Sequence, residues 1–283
     1  MIDETVEEIT EMQTHSSSEV AVKAALALLE LTGREYPTVE EYHRALEHNS
    51  NALRRANRSH ASLQTTQREV VDRVQRGADD SVAGAQDRTE EVVDEVVSRV
   101  REAKDAAARR AADLVDDGST VMTHDYSSTV YRTFETAVEQ GKSLTVYCTE
   151  ARPRFLGRKM ARRLADLDGV EPVLIVDGAS GTFLPECDQV LVGMDCLHDD
   201  ALYNRVGTYP ISATANDVGV PVRSVGGTSK IVDGGFSFEN DIRSVSEVIR
   251  ESPEGFAVEN PVYDATPTRL LDAVITNQGV HEF

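Results

Sequence analysis

Two aspartates in the second half of the chain are candidates for proton transfer. Asp125 lies beside His124, after the strand candidate at residues 120–122, and Asp195 follows Gln189–Gly193, which has the composition of a buried strand. Side chains at the carboxyl ends of parallel strands line a common crevice, so we expect both carboxyl groups to face one site. Two carboxyl groups with different proton affinities can serve as acid and base. Capping of the following segment accounts equally well for Asp195.

Polar and basic residues near these strand ends are candidates for binding an anion. Ser127 and Ser128 precede a helical run, so their backbone N–H groups can hold a phosphate at a helix N-terminus. Plain N-capping explains the two serines equally well. Asn204 and Arg205 offer an amide and a guanidinium suited to a phosphate. Arg152, with a second arginine two residues later, follows another strand candidate, although arginines on loops are more often ordinary surface residues.

The usual signatures of a nucleotide cofactor or a metal are missing from the sequence. Residues 226–230, Gly-Gly-Thr-Ser-Lys, follow a strand candidate but lack the spacing of a P-loop. No GxGxxG fingerprint occurs. The cysteines form no CxxC pair, and the histidines do not have metal-ligand spacing. We therefore predict neither a metal nor a cofactor.

The charge and composition exclude several classes of protein. The 283 residues carry a formal net charge of -20, which argues against direct binding of nucleic acid. Such acidity favours a protein adapted to high salt, where a Debye length of about 3 Å at 1 M removes repulsion between carboxylates; an ordinary acidic protein is the alternative. The three cysteines, the acidic start and the lack of an apolar run of about 18 residues predict a cytoplasmic protein without a membrane span.

The pattern of apolar residues predicts two domains of the α/β class. Up to Asp117 the periodicity is helical, and two helix starts have capping-box spacing, from Ser16 to Glu19 and from Thr38 to Glu41. From Gly118 onward short buried-strand candidates alternate with helical segments, which predicts a parallel sheet covered on both faces. The strand candidates are residues 120–122, 144–148, 173–176, 190–192 and 220–225. We predict an N-terminal helical domain at 1–117 followed by a Rossmann-like parallel-sheet domain at 118–283.

Five motifs that occur in order resemble one protein family. They are Thr123-His124, Thr149-Glu-Ala-Arg-Pro153, Val192-Gly-Met-Asp195, Asn204-Arg-Val-Gly-Thr-Tyr209 and Asn260-Pro-Val-Tyr-Asp-Ala-Thr-Pro267. The family joins the alpha, beta and delta subunits of translation initiation factor 2B with ribose-1,5-bisphosphate isomerase and methylthioribose-1-phosphate isomerase. The resemblance implies a homodimer or larger homo-oligomer and a pocket for a phosphorylated small molecule between the two domains. It also implies that Arg58, in Arg58-Ser-His-Ala-Ser62, lies near the ligand phosphate.

The chain departs from the isomerases at the position of their catalytic cysteine. The resemblance implies that this cysteine and the aspartate at position 195 move protons in the isomerases, but Asp125 occupies the cysteine position here. An ordinary carboxylate is a weaker base than a thiolate by over about four pKa units. The phosphate loop of the family is also changed, to His15-Ser-Ser-Ser18, which lacks an arginine.

These departures favour a regulatory protein similar to the archaeal initiation factor 2B alpha subunit. Such a protein would bind a sugar phosphate or nucleotide without turnover and have a translation factor as its protein partner. The alternative is an aldose–ketose phosphosugar isomerase of the ribose-1,5-bisphosphate isomerase type that uses Asp125 and Asp195. A third interpretation is a structural oligomer partner with a vestigial pocket.

Overall fold

The structure of the chain is a computed structural model that describes residues 2–14, 16–77, 79–232, 236 and 238–283. His15, the first residue of the altered phosphate loop, lies outside the described residues. The chain divides into two compact units, one ending at Glu102 and the other comprising Ala103–Phe283. The division lies within a long helix, whereas the predicted domain boundary follows the end of that helix; the boundary stays a prediction.

The first unit is helical, as the periodicity predicts. Its helices are α1 (Ile2–Thr10), α2 (Ser17–Ala27), α3 (Val39–Ala56), α4 (Ala61–Gln75) and the first part of α5 (Val82–Asp113). Both predicted caps are confirmed, because Ser16 accepts a hydrogen bond from the Glu19 N–H at 3.4 Å and Thr38 accepts one from the Glu41 N–H at 3.2 Å. These side chains satisfy N–H groups that have no partner within the helix.

The second unit contains a mostly parallel sheet of seven strands. The strands are β1 (Thr120–His124), β2 (Leu144–Thr149), β3 (Val170–Ile175), β4 (Gln189–Gly193), β7 (Val222–Val225), β9 (Ala273–Ile275) and β10 (Val280–Glu282). Their order is β10-β9-β7-β4-β1-β2-β3, and only β10 pairs antiparallel to its neighbour. The helices of this unit are the last part of α5, α6 (Ser128–Glu139), α7 (Leu156–Leu164), α8 (Ser180–Phe183) and α9 (Thr208–Val218). The predicted α/β class and parallel sheet are confirmed, since each strand candidate overlaps an observed strand.

A separate antiparallel sheet, which the sequence analysis missed, consists of β5 (Cys196–His198), β6 (Ala201–Arg205) and β8 (Tyr263–Pro267). Asn204 and Arg205 therefore lie on a strand. Arg205 pairs with Tyr263 in the register of β6 and β8. This pairing places the Asn260–Pro267 motif beside the Asn204–Tyr209 motif, although they are far apart in sequence.

Apolar clusters on both faces of the large sheet fix its central strands. Val121 of β1 belongs to the cluster that contains Phe134 and Met160, whereas the next residue, Met122, belongs to the cluster that contains Ile211. This alternation is the one expected for a strand that is buried on both faces. The carboxyl ends of β1 and β4 are consequently held in a rigid core. Among the described residues, no helix has the length and apolar character to cross a membrane.

Candidate functional site

Asp125 directly follows the end of β1 and forms a buried ion pair. Its carboxylate Oδ2 lies 3.2 Å from Nε of Arg205, and the two side chains are 8% and 14% exposed. Asp125 has a φ of 63°, in the left-handed region that few residues other than glycine and aspartate or asparagine adopt. The chain thus turns sharply at the strand end, and the turn places the carboxylate against the last residue of β6.

His124 ties the strand carrying Asp125 to its surroundings. Its Nδ1 lies 2.6 Å from Oγ1 of Thr149, and its Nε2 lies 2.8 Å from the carbonyl oxygen of Val206. Since a carbonyl can only accept, Nε2 carries a hydrogen and donates it to Val206. His124 therefore joins β1, β2 and the turn after Arg205, and it holds both members of the ion pair in place.

The electrostatic surroundings of the ion pair include the second candidate, Asp195. Burial raises the pKa of the Asp125 carboxyl, the charges of Arg205 and His124 oppose this rise, and the charge of Asp195 adds to it. Burial lowers the pKa of Arg205, but Tyr263, Asp125 and Asp195 outweigh it, so that the net shift is upward. The charge of Asp195 thus acts on both members of the pair. That Asp125 and Asp195 face one site stays a prediction.

Asp195 lies two residues beyond the end of β4 and is half-buried. Its backbone N–H donates a 3.2 Å hydrogen bond to the Tyr203 carbonyl of β6. Lys230, from the Gly-Gly-Thr-Ser-Lys segment, is buried and donates from Nζ to the Met194 carbonyl at 2.6 Å. Burial lowers the pKa of Lys230, and the charge of Asp195 opposes this shift. A buried ammonium group therefore accompanies Asp195, and the sequence pattern of this segment did not indicate that role.

The predicted anion-binding residues lie on two elements. Ser127 and Ser128 are at the N-terminus of α6, and Asn204 is on β6. The Ser127 hydroxyl accepts a 3.3 Å hydrogen bond from the Val130 N–H, so the N-capping interpretation is confirmed for this side chain. Ser128 is the first residue of α6 and is half-buried. The Asn204 side chain donates to Oγ1 of Thr208 at 3.0 Å. Anion binding by these groups stays a prediction.

Close approach between β4 and α6 brings these groups together. A Cβ atom on Gly193 would lie 2.7 Å from the Ser127 side chain and 3.8 Å from Oδ1 of Asn204. No real Cβ atom tolerates the first distance, so glycine is required there. Ser127 and Asn204 consequently lie next to each other across the end of β4.

A small cavity adjoins the ion pair and is rich in arginine. Its lining residues are Asp125, Ala151, Arg152, Pro153, Arg154, Leu156, Arg205, Val206, Arg243, Glu247, Asn260, Pro261 and Val262. Arg152, a predicted ligand-binding residue, donates from Nη2 to the carbonyl of Val248 at 3.1 Å. Arg243 and Glu247 were missed by the sequence analysis, because the segment that carries them has no regular pattern and no recognisable motif.

Arg58 belongs to the first unit, where it is exposed on the connection between α3 and α4. Its predicted place near a ligand phosphate stays a prediction.

Burial keeps the three cysteines from forming thiolates readily. Cys148, Cys187 and Cys196 are free and buried. Burial raises the pKa of Cys196 to about 12, with a further contribution from Asp195, so its thiol stays protonated near neutral pH. Within the described part of the chain, no group of three or more His, Cys, Asp or Glu side chains is placed to hold a metal ion. Asp125 and Asp195 stay the predicted proton-transfer groups.

Known isomerases and an initiation factor resemble this chain. The ribose 1,5-bisphosphate isomerase of Methanocaldococcus jannaschii is 31% identical over 99% of this chain and 91% of its own length. The protein of the same name from Haloferax volcanii is 36% identical over 59% of this chain, and the match spans only 54% of that relative. The solved translation initiation factor eIF-2B of Pyrococcus horikoshii is 25% identical with a TM-score of 0.83, over 99% of this chain and 96% of that one.

The similarity extends over both units, and it agrees with the five ordered motifs. The model of the initiation factor 2 subunit family matches residues 13–282. The chain belongs to the initiation factor 2 subunit family.

Proposed function

We propose that the protein binds a sugar phosphate at the carboxyl ends of β1, β4 and β6 and interconverts its aldose and ketose forms. The observation that carries the proposal is the ion pair of Asp125 with Arg205, on which the charge of Asp195 also acts. The pair offers a cation for the phosphate beside a carboxyl group for the sugar. The names of the two isomerase relatives add support.

Aldose–ketose interconversion needs a base for the proton on the carbon beside the carbonyl and an acid for the oxygen. In the proposal one of Asp125 and Asp195 takes the proton from C2 of the sugar and returns it to C1, while the other gives a proton to a sugar oxygen bonded to C1 and receives one from the C2 hydroxyl. Burial raises the pKa of Asp125, which makes it a stronger base than an exposed aspartate. The difference between its pKa and that of a thiol is therefore smaller than for an ordinary carboxyl group. Two carboxyl groups in unlike surroundings can divide the acid and base roles.

Arg205 is proposed to bind the phosphate, assisted by Asn204 and the backbone N–H groups at the start of α6. A guanidinium and a helix N-terminus both favour a phosphate dianion. The arriving phosphate competes with Asp125 for Arg205, because both are anions that require the same donor. Sharing the guanidinium with the phosphate weakens its hold on the carboxylate, which raises the basicity of Asp125 when the ligand is present.

The same ion pair also favours a second candidate, a regulatory protein that binds its ligand without turnover. The charge of Arg205, 3.2 Å from the carboxylate, opposes the rise in the pKa of Asp125 that burial causes, and so it opposes the use of Asp125 as a base. In this proposal the ligand is a sugar phosphate or nucleotide, and the protein acts through contacts with a translation factor. In both proposals the protein functions as a homodimer or larger homo-oligomer in the cytoplasm.

The two candidates differ in whether product appears. The protein is incubated with ribose 1,5-bisphosphate in molar KCl, and 31P NMR follows the sugar while calorimetry measures binding. Product that is lost in Asp195→Asn supports the isomerase. Binding without product supports the regulatory protein, and the absence of both product and heat of binding contradicts both proposals. Arg162→Gln, a change at an exposed position on α7, is the matched control.

A further inference from the structure

Tyr263 lies against the guanidinium of Arg205, and it has no part in the proposed proton transfer. Cζ of Arg205 is 5.2 Å from the centroid of the Tyr263 ring, which is within the range of a cation–π contact. The two residues are directly opposite each other in the pairing of β6 with β8, so their side chains share one face of that sheet. We propose that Tyr263 is a positioning residue, which fixes the Arg205 guanidinium in the orientation that binds the phosphate of the ligand; this inference rests on the proposed function.

The ion pair with Asp125 leaves hydrogen-bond donors of Arg205 available. The pair is formed through Nε, which lies 3.2 Å from Oδ2 of Asp125, and the Arg205 side chain is only 14% exposed. Apart from this pair, the Arg205 guanidinium makes no hydrogen bond to any residue that the structure describes. Arginine recognises a phosphate best with two parallel N–H groups, so the direction of the guanidinium plane decides how well the phosphate is bound. A contact that fixes this plane therefore acts on phosphate affinity.

Tyr263 is itself held at its backbone and at its ring. The residue is 3% exposed, and the side chain of Asn240 donates to its carbonyl at 2.8 Å and accepts from its N–H at 3.2 Å. Its ring meets that of Phe238 edge to face, with the centroids 5.5 Å apart, and Phe238 stacks on Tyr203 at 3.9 Å. A buried ring with these contacts is a firm support for a neighbouring cation.

The support that Tyr263 gives differs in kind from the support that Asp125 gives. Burial raises the pKa of the Tyr263 phenol, and the charge of Arg205 opposes this rise without cancelling it, so the ring is neutral near neutral pH. A neutral ring attracts the guanidinium through its π face and does not compete with an arriving anion. When the phosphate draws Arg205 away from Asp125, the contact with Tyr263 persists. The ring thus keeps the guanidinium in place during the exchange of one anion for another.

Calorimetry with ribose 1,5-bisphosphate in molar KCl tests the proposal by changing the charge of the ring face. Tyr263→Phe keeps the ring and should keep the Kd within about twofold of the wild type. A trifluorinated phenylalanine at position 263 has nearly the same shape but little negative charge on its face, and it should raise the Kd about three- to tenfold. Equal Kd values for phenylalanine and its fluorinated form at position 263 overturn the proposal.

Tyr147 provides the matched control for this series. It lies on β2, where its ring stacks on that of Phe183 with the centroids 5.0 Å apart. Phenylalanine and its trifluorinated form at position 147 should bind ribose 1,5-bisphosphate equally well. If fluorination raises the Kd as much at position 147 as at position 263, the effect does not come from the contact with Arg205, and the proposal is wrong.

A second measurement uses no ligand. In protein labelled with 15N in its arginines, the ring current of Tyr263 should displace the NMR signal of the Arg205 Nε–H. The displaced signal should persist in Asp125→Asn, which lacks the ion pair, and disappear when Asp125→Asn is combined with Tyr263→Leu. Loss of the displacement in Asp125→Asn alone shows that Asp125 orients Arg205, and it contradicts the proposal. Wild-type protein that binds no sugar phosphate contradicts the proposed function, whereas the NMR signal still decides whether Tyr263 orients Arg205.

Discussion

Asp125 and Arg205 form a buried ion pair at the position where the resemblance to the isomerases implies a cysteine thiol. The pair joins the end of a parallel strand, β1, to the end of an antiparallel strand, β6. A thiol could not neutralise the guanidinium in this way unless it lost its proton. The substitution therefore changes the charge state of the site as well as the chemistry of one side chain.

Replacing Asp125 by asparagine should tighten phosphate binding while it abolishes turnover. The amide no longer competes with the phosphate for Arg205. Removal of one adjacent negative charge should lower the Kd about tenfold, which corresponds to about 1.4 kcal/mol of binding free energy. Calorimetry with ribose 1,5-bisphosphate in molar KCl measures the change. Asp217→Asn removes an exposed carboxylate on α9 and serves as the control. Weaker binding in Asp125→Asn would show that the carboxylate assists the ligand instead of competing with it.

Truncation of Arg205 should destabilise the fold by about 3–5 kcal/mol at neutral pH, because it leaves the Asp125 carboxylate buried without its partner. The double variant Arg205→Ala, Asp125→Ala should be more stable than Arg205→Ala alone. Urea unfolding of the four proteins gives the coupling energy. The exposed pair of Arg76 and Asp72 provides the matched double-mutant cycle and should show a coupling below about 1 kcal/mol. Equal coupling in the two cycles would mean that burial does not strengthen the Asp125 pair.

The sequence could predict the parallel sheet because its strands are apolar runs separated by helical segments. It could not predict β6, since Ala-Leu-Tyr-Asn-Arg has neither an apolar run nor a clear alternation. The contact between Asp125 and Arg205 depends on the pairing of β6 with β8, which joins segments far apart in sequence. It also depends on the left-handed backbone conformation of Asp125, which the sequence pattern does not reveal. Arg243 and Glu247 reach the same cavity from an irregular segment whose path depends on tertiary contacts.

Acid should stabilise the wild-type protein relative to Asp125→Asn. Burial raises the pKa of Asp125 in the folded state above its ordinary value of 3.8, so the folded state binds this proton more tightly than the unfolded chain. The resulting stability is fully present below pH 3.8 and is lost as the pH rises through the folded pKa. The difference in unfolding free energy between the two proteins, measured in urea from pH 4 to pH 7, should shift in favour of the wild type toward the acid end. A difference that is constant over this range would mean that the carboxyl group keeps its ordinary proton affinity.

High salt should stabilise the protein through screening of its own charge. A net charge of -20 implies repulsion among surface carboxylates, which a Debye length of about 3 Å at 1 M salt removes. The midpoint of thermal unfolding should rise between 0.1 M and 2 M potassium gluconate, a salt that supplies no halide. Equal stability at the two concentrations would contradict adaptation to salt.

Gly207 should be intolerant of any side chain because it packs against the histidine that fixes the site. A Cβ atom there would lie 2.5 Å from Cε1 of His124, and the φ of 110° is itself unfavourable for other residues. Overpacking and backbone strain together predict a loss of about 2–5 kcal/mol for Gly207→Ala. Gly219→Ala is the matched control, since Gly219 has a φ of 78° but no atom within 4 Å of the place that a Cβ would occupy, and it should lose only about 1–2 kcal/mol. Urea unfolding compares the two variants, and a similar loss in both would assign the cost to the backbone conformation and not to His124.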